Sequence, residues 1–327
     1  GTGIWSQQAK LAASDPAVND RFGFSVGISG NTAVVGTITR LVYVFTRSGA
    51  AWSQQAKLTS PDTSSVAISG DTVVLGAAQS EFDGDNYGPG LAYVYTRDGK
   101  GIWSQQAKLI ASDGVVNDGF GSSVAISGNT AVVGASHDDG ESGSAYVFTR
   151  SGISWSQQTR LTASRRGRGL FGGSIAISGN TVVVGAFAEA HEELHFSKGS
   201  AYVFTRDDRA IWSQQARLTA SDAERDDEFG TSVAISADIV VVGAPRVNDW
   251  GQHSGSAYVF TRNGITWSEQ AKFTASDVVK YDSFGYSVAI SGNTAMAGKA
   301  GNAGLGGRDE GSVYVFNLSN LSCEATY

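Results

Sequence analysis

The chain has 327 residues, a net charge of −7, 42 glycines, four prolines and 10% aromatic residues. Its length alone favours about two domains, and its abundance of glycine, valine, serine and threonine favours strands joined by turns. The acidic balance argues against nucleic acid as the main partner, because phosphate binding requires a clustered basic surface. No segment reaches the ~18 consecutive apolar residues of a membrane span, so we expect no insertion into a membrane.

The first predicted element, WSQQAKL, recurs along the whole chain. The string W-S-(Q/E)-Q-(A/T)-(K/R)-(L/F) occurs six times, at intervals of 47 to 57 residues. Its copies begin at Trp5, Trp52, Trp103, Trp155, Trp212 and Trp267. Between copies lie three further runs, as in SVAIS (123–127), TAVVGA (130–135) and SAYVFT (144–149). We name these runs A, B and C and the tryptophan run D, so each unit predicts four short strands.

The connections between these runs predict antiparallel pairing. Ser-Gly-Asn-Thr between runs A and B contains a two-residue hairpin turn, and Arg-Ser-Gly or Arg-Asp-Gly joins C to D. Runs B and C are apolar on both faces, as in Val182–Val184, which indicates a sheet packed between two neighbours. Repeated four-stranded units of this size are typical of a β-propeller. The repeated tryptophans are then expected to be buried between blades.

The two ends of the repeat predict how the ring closes. The chain opens with a D run at residues 5–11, and its last unit ends with the C run at Phe316. We therefore predict an all-β fold, a six-bladed propeller in which the N-terminal strand completes the last blade and removes the open edges. Residues 1–316 form a single domain in this interpretation, and residues 317–327 form a C-terminal tail.

Residues 229–245, FGTSVAISADIVVVGAP, show a family resemblance. With their Phe-Gly and Gly-Ala-Pro ends they resemble the FG-GAP repeat of the integrin α-chain N-terminal propeller, and the similarity extends through all six units. Phe-Gly also begins at residues 22, 120, 171 and 284, whereas the second unit lacks it. The resemblance implies a recognition or adhesion module outside the cell. The calcium loop D-x-D-x-D-G of that family does not carry over, because the A–B segment here is Ser-Gly-Asn-Thr or close to it.

Loop lengths divide the predicted disc into two faces. The A–B and C–D turns share the fixed face, where the distance from the second residue of run A to the glycine of run B is ten residues in every unit. The B–C and D–A loops share the variable face, where the distance from that glycine to the tyrosine of run C ranges from 7 to 17 residues. Loops that vary on a rigid scaffold usually carry the binding groups. We therefore expect the ligand on the variable face.

Three kinds of side chain on the variable face are candidates for ligand binding. The aromatic candidates Tyr87 and Trp250 either stack on a sugar ring or a protein partner, or cover their own loops. The arginines either bind sulfate or carboxylate or form a solvated loop. The full set of candidates is Tyr87, Asp138, Asp139, Arg165, Arg166, Arg168, Asp249, Trp250 and His253.

Carboxylates in the same loops raise the question of calcium. No cofactor is required by this interpretation, but Asp83, Asp85 and Asn86 have the alternating oxygens of known calcium loops, so Ca²⁺ is a weak candidate ligand there. Four D–A loops also contain aspartates five residues apart. These pairs favour Asx turns that cap backbone N–H groups over calcium. They are Asp15/Asp20, Asp113/Asp118, Asp222/Asp227 and Asp277/Asp282.

One motif points to an enzyme. Residues 191–195, His-Glu-Glu-Leu-His, match the H-E-x-x-H pattern of zinc peptidases, in which two histidines on one helix face hold the metal. Here the match lies in the B–C loop of the fourth unit, which has no framework helix and no third ligand at the expected spacing. We therefore predict no peptidase activity and no enzyme.

The C-terminal tail bears on location and partners. Asn317 and Asn320 each begin a glycosylation sequon, and the single cysteine, Cys323, has no partner within the chain. Together with a start that lacks methionine, these features favour a secreted or cell-surface glycoprotein that binds a protein or carbohydrate. The alternatives are a structural subunit of a surface assembly, linked through Cys323, and a lectin-like propeller.

Overall fold

The computed structural model describes residues 7–60, 63, 65–78, 88–165, 167–190, 197–300 and 311–319. Within these residues, five antiparallel sheets of four strands and one of three strands follow one another as the blades of a propeller. The predicted all-β, six-bladed fold is confirmed. No helix in the described ranges is long and apolar enough to cross a membrane.

The A strands of successive blades contact one another at the centre of the disc. Strands B, C and D follow outward in five sheets, and the described part of the sixth sheet ends at C. The A strands are β1 (Ser25–Ser29), β5 (Ser65–Ser69), β9 (Phe120–Ser127), β13 (Ser174–Ser178), β17 (Ser232–Ser236) and β21 (Ser287–Ser291). The B strands are β2 (Thr32–Gly36), β6 (Thr72–Ala77), β10 (Thr130–Ala135), β14 (Thr181–Ala186), β18 (Ile239–Ala244) and β22 (Thr294–Lys299). The C strands are β3 (Leu41–Ser48), β7 (Leu91–Arg97), β11 (Ser144–Ser151), β15 (Ser200–Arg206), β19 (Ser256–Asn263) and β23 (Ser312–Asn317). The D strands are β4 (Ala51–Thr59), β8 (Trp103–Leu109), β12 (Ser154–Leu161), β16 (Trp212–Leu218) and β20 (Thr266–Phe273).

Phenylalanine and glycine of the Phe-Gly motif join the third, fourth, fifth and sixth blades each to the preceding one. Phe229 is fully buried and packs edge-on against Tyr258 and Phe260, with ring centroids 5.5 and 6.0 Å apart. Gly230 follows with φ +96°, and its carbonyl oxygen lies so close to Gly185 of the preceding blade that a Cβ there would overlap it. The same glycine-to-glycine approach occurs at Gly76/Gly121, Gly134/Gly172 and Gly243/Gly285. The motif is therefore required by close backbone packing between blades.

The repeated tryptophans lie at the outer part of the same junctions. The Arg150 guanidinium lies 5.5 Å from the Trp155 ring centroid, and Trp155 Nε1 donates to Gln106 Oε1 of the preceding blade at 2.9 Å. Arg150 also donates through Nε and Nη2 to Asn129 Oδ1 in the A–B turn, at 3.0 and 2.8 Å. The prediction that these tryptophans are buried is wrong for the five that the structure describes, which are half-buried because each lies near the start of an outermost strand. Trp5 lies outside the described residues. The equivalent indole-to-glutamine bonds join Trp52 to Gln8, Trp103 to Gln55, Trp212 to Gln158 and Trp267 to Gln215.

The junction between the sixth and first blades differs from the others. Residues 7–11 form no assigned strand, although Gln8 Oε1 accepts the Trp52 Nε1 hydrogen at 3.3 Å and Leu11 packs on the first blade. Val26 and Ile28 of β1 are 66% and 67% exposed, whereas residues at the same positions of β5 are buried. Residues 1–6 lie outside the described ranges, so the predicted pairing of residues 5–11 beside β23 stays a prediction.

One A–B turn contains a residue that is unsuited to its backbone conformation. Ala237 has φ +50°, and the five equivalent residues are glycines with φ between +54° and +57°. The left-handed region costs an L-residue about 1–2 kcal/mol, which a change to glycine would remove. Glycine also has greater freedom in the unfolded chain, and this offsets about 0.4–1 kcal/mol of the stabilisation. We expect Ala237→Gly to raise the free energy of unfolding by about 0.5–1 kcal/mol in urea titration. The control, Ala234→Gly within β17, should lower it, and a stabilisation shared by both variants would contradict the explanation.

Candidate ligand-binding face

The strand order confirms the division into two faces. Because consecutive strands are antiparallel neighbours, the A–B and C–D turns lie at one end of every sheet and the B–C and D–A loops at the other. Each of the six A–B connections contains two residues, whereas the B–C connection has four residues between β2 and β3 and eleven between β18 and β19. The variable face is therefore a real surface on which unlike loops lie side by side.

The aspartate pairs of the D–A loops are built into the scaffold of this face. Asp222 accepts hydrogen bonds from the Tyr258 hydroxyl at 2.9 Å and from Lys272 Nζ at 2.6 Å. Asp227 is almost fully buried and accepts the backbone N–H of Glu224 at 2.6 Å. The second aspartates of the other pairs cap in the same way, Asp20 to Ala17, Asp118 to Val115 and Asp282 to Val279. The predicted capping of backbone N–H groups is confirmed for the second aspartate of each pair, whereas the first aspartate, as at Asp222, is engaged by side chains.

Burial sets the protonation behaviour of these groups. Desolvation, followed by the hydrogen bond to Asp15, raises the pKa of Tyr43 to about 12. Desolvation also raises the pKa of Asp118 and of Asp227 above the usual aspartate value. It opposes ionisation of Asp222 as well, but Lys272 and Tyr258 outweigh it and lower the pKa of that carboxyl. The first aspartate of this pair therefore has a cation beside it, and the second is a poorly solvated carboxylate.

In the third blade the predicted candidates Asp138 and Asp139 lie around one arginine. They belong to α1 (Asp138–Glu141), a short helical turn interrupted by positive φ angles at Asp139 and Gly140. Asp138 is 5% exposed, accepts the Tyr146 hydroxyl hydrogen at 2.9 Å and pairs with Arg160 at 2.8 Å. Asp139 is exposed and pairs with the same guanidinium. Asp138 thus stabilises its own blade from within, and Asp139 is the member of the pair that faces solvent.

Two cavities open beside Asp139. One has a volume of about 420 Å³, and Asp113, Asp118, His137 and Arg160 are among its lining residues. The second has a volume of about 300 Å³ and is lined by Asp139, Ser142, Gly143, Thr162, Ala163 and Arg165. The structure therefore brings Asp139 and the predicted Arg165 into one concave region between the third and fourth blades.

The remaining arginine candidate that the structure describes faces outward. Arg168 is paired with Glu141 of the preceding B–C loop at 2.6 Å, and its side chain is 75% exposed. That contact makes the D–A loop of the fourth blade continuous with the loop that carries Asp139. Arg166 lies outside the described residues.

In the fifth blade the candidates adjoin an aromatic residue that the sequence reasoning did not select. Trp250 is 65% exposed, and Asp249 pairs with Lys272. His253 packs edge-on against Tyr281 of the next D–A loop, with ring centroids 5.8 Å apart. Tyr281 occupies the position of Asn19, Asn117 and Asp226 in other blades, so an aromatic residue in a polar loop position was the available signal. The two loops form a mixed aromatic and polar surface.

Several predicted site residues fall outside the described ranges. They are Tyr87, the calcium candidates Asp83, Asp85 and Asn86, the motif residues His191–His195, the sequon residue Asn320, and Cys323. Predictions about them stay predictions. The other sequon residue, Asn317, is exposed at the end of β23, where its Oδ1 accepts the Ser319 N–H at 2.9 Å.

Comparisons with known proteins agree with the fold. The model of a family described as FG-GAP repeat matches residues 5–51, 52–95, 103–148, 155–204, 212–260 and 267–316. No curated protein matches the sequence significantly. Among solved structures, Sqt1 of Saccharomyces cerevisiae is similar, with a TM-score of 0.52 at 12% identity over 93% of this chain and 84% of that one. At this identity the likeness shows the fold alone.

Proposed function

Because the chain belongs to the FG-GAP repeat family, we propose that it is a recognition module whose variable face binds a protein or a glycan. The observation that carries this proposal is the contrast between the two faces. On the fixed face, polar side chains such as Asn129 and Arg150 are engaged in contacts that repeat from blade to blade. The variable face instead presents the exposed Trp250 and the two cavities beside Asp139.

The chemistry of the variable face supports specific recognition. A binding site that distinguishes partners needs unlike groups close together, and a few aromatic or arginine residues usually dominate its affinity. Trp250 and Tyr281 supply apolar rings in the fifth-blade region, and Arg165 and Asp139 supply opposite charges in the third. An exposed indole suits either the face of a sugar ring or an apolar side chain of a protein.

We place this function at the cell surface or outside the cell. The family match and the two sequons support that location, and the exposed position of Asn317 leaves its side chain accessible. Calcium held by Asp83, Asp85 and Asn86 remains part of the proposal. The test is to apply the labelled full chain to arrays of glycans and of extracellular proteins, with and without a chelator. Binding to neither array would contradict the proposal, and binding that survives the chelator would contradict a calcium role.

Once a ligand is identified, variants with substitutions on one face of the disc test where it binds. We expect Trp250→Ala, Tyr87→Ala and the combined change of Arg165, Arg166 and Arg168 to alanine each to weaken binding about tenfold or more in a titration, because anchor residues contribute about 2 kcal/mol or more. Their melting temperatures should stay unchanged.

The matched controls are Asn129→Ala and Asn180→Ala on the fixed face. They remove the acceptors of Arg150 and Arg206, so we expect lower stability with unchanged affinity. Reduced affinity in these controls, with normal affinity in the variable-face variants, would place the ligand on the opposite face.

A further inference from the structure

We propose that the 420 Å³ cavity of the third blade binds the ammonium group of a lysine side chain on a partner protein. This inference rests on the proposed function, because the cavity opens on the variable face. Asp113, Asp118, Asp138 and Asp139 line it, and Arg160 is the arginine among its lining residues. Arg160 is already engaged by three of these carboxylates, those of Asp113, Asp138 and Asp139.

Among the described residues, Asp118 is the carboxylate of the cavity that forms no ion pair, although Arg160 lines the same cavity. It is 5% exposed, and its Oδ2 accepts the backbone N–H of Val115 at 2.7 Å. Within the described part of the chain, Asp118 forms no ion pair and its Oδ1 accepts no hydrogen bond. Desolvation, joined by repulsion from Asp138 and Asp113, raises its pKa, although the Val115 N–H and Arg160 oppose the shift. Because buried charges are stable when paired, Asp118 favours a cation that enters the cavity.

The sixth blade shows which cation fits beside this aspartate. Asp277 and Asp282 occupy the positions of Asp113 and Asp118, and Asp282 caps its own loop in the same manner. Lys299 Nζ lies 3.0 Å from Asp282 Oδ2 and 3.6 Å from Asp277 Oδ2. The sixth blade therefore holds an ammonium group between its two aspartates.

Whether a blade supplies this ammonium group from its own chain depends on the residue at the position of Lys299. In the third blade that position, the last residue of its B strand, is Ala135, which has no donor. In the first blade a different donor serves the second aspartate, because the Thr39 hydroxyl donates to Asp20 Oδ1 at 2.5 Å. The third blade thus has the two aspartates of the sixth together with a cavity, and among the described residues its second aspartate, unlike Asp113, has no side-chain donor. A lysine suits it because its compact charge has three donors and a long flexible stem.

Titration with a defined probe tests the proposal on the full chain. The probe is the end-blocked peptide Gly-Ser-Lys-Ser-Gly, compared with the same peptide carrying Nε-acetyl-lysine, and binding is followed by ligand-observed NMR. We expect the lysine peptide to bind about tenfold or more tightly than the acetylated one, as for a charge-assisted hydrogen bond. Asp118→Asn should remove this preference, and the control Asp208→Asn, an equal charge change on the fixed face, should keep it.

A second variant imitates the sixth blade. Ala135→Lys supplies the ammonium from within, as Lys299 does, and should abolish peptide binding while the chain still folds. Equal binding of the two peptides, or an unchanged preference in Asp118→Asn, would overturn the proposal, and so would binding of n-butylamine as tight as that of the peptide, which would assign the cavity to free amines. Because the titration needs no natural partner, its failure leaves the proposed function of the face standing, and its success does not depend on identifying the ligand.

Discussion

Deletion of residues 1–11 is expected to lower the melting temperature by on the order of 10 °C and to cause aggregation, because the last blade loses its predicted fourth strand. In the described residues β23 has β22 as its neighbour and forms the outer edge of the sixth sheet. An unpaired edge strand is a template for association with other chains. Differential scanning calorimetry and light scattering of the shortened chain would measure both effects.

The residues needed to join the sixth blade to the first are present on both sides of that junction. Gly298 and Gly23 occupy the positions at which Gly243 and Gly285 approach each other between the fifth and sixth blades. Gln8 already contacts the tryptophan of the first blade, as the equivalent glutamine does at the four junctions from the first to the fifth blade. The N-terminal segment is thus held on one side of the junction by the contact that the repeat uses elsewhere.

The exposed apolar side chains at the junction supply the driving force for its closure. Val26 and Ile28 of β1, together with Val313 and Val315 of β23, are exposed, and closure would bury them. Each buried apolar side chain contributes on the order of 1.5–3 kcal/mol. Removal of residues 320–327 is the matched control, with no change in melting expected. A shortened N-terminal chain that stayed monomeric and melted normally would show that the ring does not need this strand.

The repeat explains why so much of the fold could be predicted from one sequence. Strands B and C are apolar on both faces, and a sheet between two others is the arrangement that buries both. The two-residue A–B turns could also be predicted from local sequence, since glycine readily adopts the φ near +55° that these turns require. The half-burial of Trp155 was not predictable from its recurrence, because exposure depends on its place in the outermost strand.

The variable face was less predictable because its residues act through contacts between loops. Asp138 belongs by sequence to an acidic loop, but its carboxylate is buried in the blade, where it accepts a hydrogen bond from Tyr146 and pairs with Arg160. In the fourth blade Glu189 takes a similar role, 5% exposed and paired with Arg217. Lys299 lies where the neighbouring repeats have alanine or threonine, and its significance appears when the aspartates of the D–A loop are placed beside it. A departure from the repeat such as Lys299 is visible in the sequence, but the side chains that it contacts in the folded protein are not.

Replacement of Gly243 by alanine is expected to be among the most destabilising single changes in the chain. A Cβ on Gly243 would overlap the carbonyl oxygen of Gly285 and approach the Ser232 hydroxyl oxygen. The Gly285 carbonyl oxygen belongs to the backbone and cannot turn aside as a side chain could, so the fifth and sixth blades would have to separate. Overpacking of this kind costs about 1–3 kcal/mol and sometimes more, and we expect about 3 kcal/mol in the free energy of unfolding by urea titration.

The first blade offers the matched control, because the second blade lacks the Phe-Gly motif. Gly36 occupies the same strand position as Gly243, but a Cβ there would meet the Val66 side chain at 3.2 Å rather than a carbonyl of the next blade. A valine methyl group can shift by a few tenths of an ångström, so we expect Gly36→Ala to cost about 1 kcal/mol or less. Equal losses for the two variants would show that the glycine pairs do not set the distance between blades. A much larger loss for Gly243→Ala would instead identify the Phe-Gly and Gly-Ala ends of the repeat as the two halves of one backbone contact.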